Sequence, residues 1–226
     1  MRQKIVPIVV LCAVLLLVPG VDAAAQERTV SVKGTATQEV PNDTAALRFS
    51  VSKERGSRAA ALRIASARLA AVIAAVQGIP GVEAGDVTTG QVSVRKVARD
   101  KRFVFRASEG IAVILHQPER AGEMVSAAVG AGATGTGGPR FFPGDPEAAY
   151  DNTLLAAFDR AKARASALAT RAGATLGPAI SIEEGSEVVP NQPEGAQAKG
   201  ISAPAPPTKP GGSTVTATVH VVFALE

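Results

Sequence analysis

The side chains best suited to acid–base, nucleophilic or metal chemistry are two histidines, His116 and His220, and one cysteine, Cys12. A zinc site needs four ligands, or three and an open position. Two histidines on separate alternating segments, with no cysteine nearby and no H-E-x-x-H run, do not supply one. Serine catalysis needs a base beside an exposed hydroxyl. No G-x-S-x-G elbow occurs, so a hydrolase using His116 or His220 stays open only as a pairing of distant residues. Gly130-Ala131-Gly132-Ala133-Thr134-Gly135 spells G-x-G-x-x-G, which binds a dinucleotide only between a strand and a helix N-terminus. Here the run follows a helical pattern and precedes a strand candidate, so a glycine-rich helix-to-strand connection is expected. Glu183 and Glu184 are neighbours on a strand and point to opposite faces, which disfavours a paired-carboxylate site. Asp145 and Glu147 suit the positive end of a helix. The sequence therefore assigns no catalytic residue, no cofactor and no metal, and a non-enzymatic protein is expected.

The densest positive charge lies between residues 95 and 106, where Arg95, Lys96, Arg99, Lys101, Arg102 and Arg106 stand against Asp100. Such a ribbon is a candidate site for an anionic envelope polymer, and equally a means of protecting strand edges from unwanted pairing. Phe103 and Phe105 fall on one face of it and could stack bases. With aromatic residues at only 4% of the chain, core packing is the better expectation for both. The formal net charge of +4 gives no general reason to expect nucleic acid.

Around these residues the elements follow from periodicity. Val30, Val32 and Ala36 alternate with polar residues around Gly34, a strand with a possible bulge. After Pro41-Asn42-Asp43, Ala45, Leu47, Phe49 and Val51 form a second strand, expected to hairpin onto the first. Ser57 caps a helix with the stripe Leu62, Ala65, Leu69, Val72 and Val76, which stops at Gly78 before Pro80. Residues 87–97 and 103–115 alternate around Ala98-Arg99-Asp100-Lys101 as a second hairpin. Pro118 opens a short helix, and Arg140-Phe141-Phe142-Pro143 is a brief strand candidate. Asp145 and Pro146 then open a long helix with the expected stripe Leu154, Phe158, Ala161, Ala165, Leu168 and Ala172. Residues 180–183 form a short strand. Val215, Ala217, Val219, Val221 and Phe223 give the cleanest alternation in the chain, with His220 on its polar side. The fold class is α+β, with helices covering one face of a largely antiparallel sheet.

Arg2 and Lys4 precede an apolar run from Ile5 to Val18, and Ala23-Ala24-Ala25 follows, the order of a cleavable signal peptide over residues 1–25. Loss of Arg2, Lys4, Asp22 and Cys12 would leave a thiol-free chain of charge +3, periplasmic or secreted, without disulfides. Residues 26–226 are expected to form one domain. A proline-rich stretch at 186–212, with six prolines between Pro190 and Pro210, is expected as an exposed, mobile loop inserted into it.

The order of elements, the segment Val30-Ser31-Val32-Lys33-Gly34-Thr35-Ala36 and the alanine-rich helix from Ala156 to Ala169, followed by Gly173, Leu176-Gly177 and Ile180-Ser181-Ile182, resemble the SIMPL-domain family of exported bacterial proteins. The resemblance spans essentially the whole chain from Gln26. It implies an α+β envelope protein associated with oxidative-stress tolerance, self-associating into a homo-oligomer, with no catalytic residue to carry over.

Overall fold

The cleanest alternating run of the sequence becomes the centre of a three-stranded sheet. The computed structural model describes residues 28–100, 102–185 and 209–226. The expected signal peptide, Lys101 and most of the expected proline-rich insertion lie outside them. Strand β1 (Thr29–Pro41) pairs antiparallel with Gly212–Leu225, the last strand of the chain, along its whole length, from Thr29 opposite Ala224 to Pro41 opposite Gly212. The register is unbroken at Gly34, so the expected bulge is absent. Gly212, expected in the loop, opens the final strand instead. Leu176–Glu184 adds to that strand's other side.

The remaining strands build a second, five-stranded antiparallel sheet. Strand β2 (Thr44–Arg55) lies between the later strands Arg102–Leu115 and Gly135–Phe142 and does not hairpin onto β1. Full-length pairing with the C-terminal strand leaves β1 elsewhere, and the Pro41–Asp43 segment crosses from one sheet to the other. Asn42 fixes that crossing: its Nδ2 donates to Pro210 O at 2.9 Å, and its Oδ1 accepts from Ser213 Oγ at 2.6 Å. Helix α1 (Arg58–Gln77) follows, with Ser57 Oγ accepting from Ala60 N at 3.2 Å. Its buried line is Ala61, Ala65, Leu69, Val72 and Val76, four of them as expected. By length and composition α1 could also cross a membrane, yet this line packs against the five-stranded sheet.

Strands β3 (Val87–Thr89) and β4 (Ser93–Arg99) divide what reads in sequence as one strand. Both pair with the same edge of β5 (Arg102–Leu115), with one extra residue at Gly90–Val92 between them. Helix α2 (Ala121–Gly130) leads into β6 (Gly135–Phe142). Gly130 ends the helix and Gly132 takes φ 107° in the connection, as expected, whereas Gly135 and Gly137 are strand residues paired with β2. Phe49, Leu47, Val51, Ile111, Val113 and Leu115 close the main core beneath α1 and α2. Burying each such side chain contributes about 1.5–3 kcal/mol.

Helix α3 (Pro146–Arg171), capped by Asp145, covers one face of the three-stranded sheet, completed by β7 (Leu176–Glu184) and β8 (Gly212–Leu225). It buries Ala149, Thr153, Ala157, Ala161, Ala165 and Ala169, a line of small residues at i, i+4. Of the expected stripe, Ala161 and Ala165 are buried, Leu154 and Phe158 are half-buried, and Leu168 is 53% exposed. Closeness explains the shift. A Cβ placed on Gly34 would stand 2.0 Å from Ala157 O and 2.8 Å from Ala161 Cβ. Strand glycine and helix alanine thus bring two backbones into contact, which a line of leucines would prevent.

Candidate anion-binding face

The β4–β5 hairpin pairs Arg95 with Arg106 and Arg99 with Arg102, and at its tip Asp100 takes φ 42°. Short polar residues tolerate that left-handed conformation best. Residues opposite one another share a sheet face, so these four arginines project on one side. That side is the face of the five-stranded sheet opposite α1. Lys96, opposite Phe105, belongs to the other side.

The six expected cations thus separate into distinct roles, with Lys101 outside the described residues. Glu54 of β2, opposite Arg106, accepts from Arg99 Nε at 3.1 Å and from Arg106 Nε at 2.8 Å. Hydrogen bonds from Arg99 and then Arg106 hold the Glu54 carboxyl below its ordinary value of 4.5, and Glu54 in turn raises Arg99. Arg95 and Arg102 make no ion pair among the described residues. Lys96 Nζ sits 4.1 Å from the Phe103 ring centroid, and Arg58 lies over Phe105 at 5.7 Å. Core packing holds for Phe105, which packs against the main cluster, but not for Phe103, which is 65% exposed. Phe103 stands two residues nearer the hairpin tip than Phe105, over which Arg58, the first residue of α1, lies.

The arginine face continues along the sheet. Next to the Glu54–Arg106–Arg95 row stand Ser52, Ser108 and Ser93, with the Ser52 and Ser108 hydroxyls 3.1 Å apart. Beyond them Ser50 is flanked by Gly135 and Gly110, and Arg48 by Gly137 and Ala112. Arg140 opposes Ala46 one row further. Ser50, Gly110, Ala112, Gly135 and Gly137 line a depression of about 720 Å³, with Arg48 and Arg140 in its walls and no acidic residue there among the described residues. Arg140 Nε is buried there without a hydrogen-bond partner among the described residues.

The histidines stand apart from this face. His116 Nε2 lies 3.3 Å from the Asp86 carboxylate, and His220 is exposed opposite Lys33 and Glu183 on the outer face of the three-stranded sheet. Among the described residues, no hydroxyl hydrogen-bonds to either ring, and no three potential ligands gather around one metal position. Glu54, Arg48 and Arg140 are the residues that sequence reasoning missed. The alternation placed Arg48 on the polar side of its strand, but only the pairing of β2 with β5 and β6 brings these three onto the arginine face.

The architecture defines a two-sheet α+β protein, each sheet with its own helical cover and one polar, cationic face left open. Residues 30–223 match SIMPL, a protein of unknown function (DUF541), and the chain belongs to that family. No curated protein matches it.

Proposed function

We propose that this protein is exported to the periplasm or cell exterior, acts without catalysis, and self-assembles in the cell envelope in the service of stress tolerance. The difference between the two edges of the three-stranded sheet carries the assembly reading. At the β1 edge, Arg160 Nη1 donates to Thr35 O at 2.9 Å and Arg164 Nη1 to Lys33 O at 2.7 Å, which occupies outward carbonyls. The β7 edge instead carries Ile180 and Ile182, 51% and 58% exposed. A guarded edge beside one that bears exposed isoleucines and has no pairing partner among the described residues favours pairing of β7 with β7 of a second copy. Light scattering on the chain from Gln26 tests this. The expected result is an oligomer that Ile180→Lys with Ile182→Lys dissociates, and a strict monomer at high concentration overturns it.

A second reading, binding of anionic envelope polymer through the 95–106 hairpin, is favoured by Arg95 and Arg102, which lack carboxylate partners among the described residues. Binding should weaken with salt and fall on charge reversal at Arg95 and Arg102. Binding that is absent or indifferent to salt eliminates this reading.

A further inference from the structure

We infer that the open face of the five-stranded sheet is a track for an extended acidic glycan, held by arginines at both ends; this rests on the hairpin reading and extends its site across the sheet. The hairpin supplies Arg95 and Arg102. The far end supplies Arg48 and Arg140, two guanidiniums without ion pairs among the described residues. From Arg106 to Ala112, the β5 residue opposite Arg48, is six residues, or roughly 20 Å along a strand rising about 3.3 Å per residue. That separation suits a linear polyanion meeting both ends, not one compact ion.

The surface between the ends favours carbohydrate. Ser50, Ser52, Ser93 and Ser108 offer hydroxyls on the same face. Glycine keeps the floor low beside them: a Cβ on Gly135 would lie 2.5 Å from Ser50 Oγ, so a larger residue there would displace the serine and fill the trough. A low, hydroxyl-bearing floor accepts sugar rings and their hydroxyls. Single-stranded nucleic acid requires aromatic platforms, and Phe103 and Phe105 project to the other side of the hairpin. Among the described residues, Glu54 is the one acid on this face, and it is already held by Arg99 and Arg106.

The test is titration of the chain from Gln26 with uronate oligosaccharides of increasing length, with oligothymidylate and a neutral glucan for comparison. The expected result is an affinity that steps upward at the length first reaching both ends. Arg48→Gln with Arg140→Gln should then weaken the long oligosaccharide at least tenfold while leaving the shortest binder unchanged. Arg48→Gln alone, at an exposed position, should show part of the same loss, and melting temperatures verify that each variant is folded. Hairpin binding with no response to the Arg48 and Arg140 substitutions overturns the track and leaves the hairpin reading standing. No binding to any anion overturns both. Oligothymidylate bound as tightly, with the same sensitivity, overturns the assignment to glycan. A change in oligomer mass without a change in uronate affinity assigns the face to a second copy and likewise overturns the track.

Discussion

Replacing Gly34 with alanine tests the packing on which the three-stranded half depends. The added Cβ would stand 2.0 Å from Ala157 O and 2.9 Å from Ala161 N, both backbone atoms that no rotamer change can move. Carbon and oxygen approach no closer than about 3 Å, so α3 must retreat by roughly 1 Å over its six-residue line of small side chains. Overpacking costs about 1–3 kcal/mol where side chains can give. Here the obstacle is main chain, so the upper end, about 3 kcal/mol, is expected. For a chain of this size that lowers the melting temperature by roughly 6–12 °C. Urea unfolding followed by circular dichroism measures the loss, with Gly56→Ala as control because a Cβ at Gly56 meets nothing within 4 Å. Ala161→Gly should not rescue Gly34→Ala, since the nearest obstacle, Ala157 O, remains. A loss below about 1 kcal/mol, or full rescue by Ala161→Gly, would refute the backbone-contact account.

Three further outcomes follow from the same structure. Because Glu54 is held below 4.5 when folded, its pairing stabilises the protein above that pH and is lost as pH falls through the folded value. Glu54→Gln should remove this part of the acid sensitivity, seen as melting temperatures that change less between pH 5 and about 3. The same variant releases Arg99 and Arg106, so it should bind polyanion more tightly and with a steeper salt dependence; unchanged affinity would contradict the pairing. Glu109, 7% exposed and accepting from Ser66 Oγ at 2.6 Å, should lose about 1–3 kcal/mol in Ser66→Ala. A change below about 0.5 kcal/mol by urea unfolding would contradict that role.

The local chemistry of the sequence reached much of this fold. Ser57 and Asp145 cap the helices expected of them, and the alternation of Val215, Ala217, Val219, Val221 and Phe223 gives the buried side of β8. Pairing partners were less legible, because alternation gives a strand's faces but not its neighbours. Nearness in the chain suggested a β1–β2 hairpin, whereas β1 pairs with the last strand of the chain, Thr29 with Ala224 and Pro41 with Gly212. The same limit hid the open face, since Arg48 and Glu54 of β2 meet Arg140 of β6 and the hairpin arginines only through the pairing of β2 with β6 and β5. The α3 stripe shifted because hydrophobic size suggests leucine and phenylalanine, while contact with Gly34 requires alanine. The glycines of β6 read as a loop because glycine lowers strand propensity, and their use becomes visible only with Ser50 and Arg48 beside them.

The central claim, self-assembly through the open edge of β7, has a direct measurement. The chain from Gln26 contains no cysteine, so single cysteines placed in turn at positions 179 to 183 form the only possible disulfide. In an antiparallel pair of identical strands only residues near the two-fold axis face their own copies, about 4.5–5.5 Å apart at Cα. The account predicts covalent dimer concentrated at one or two of these positions. Equal or absent cross-linking at all five would contradict it.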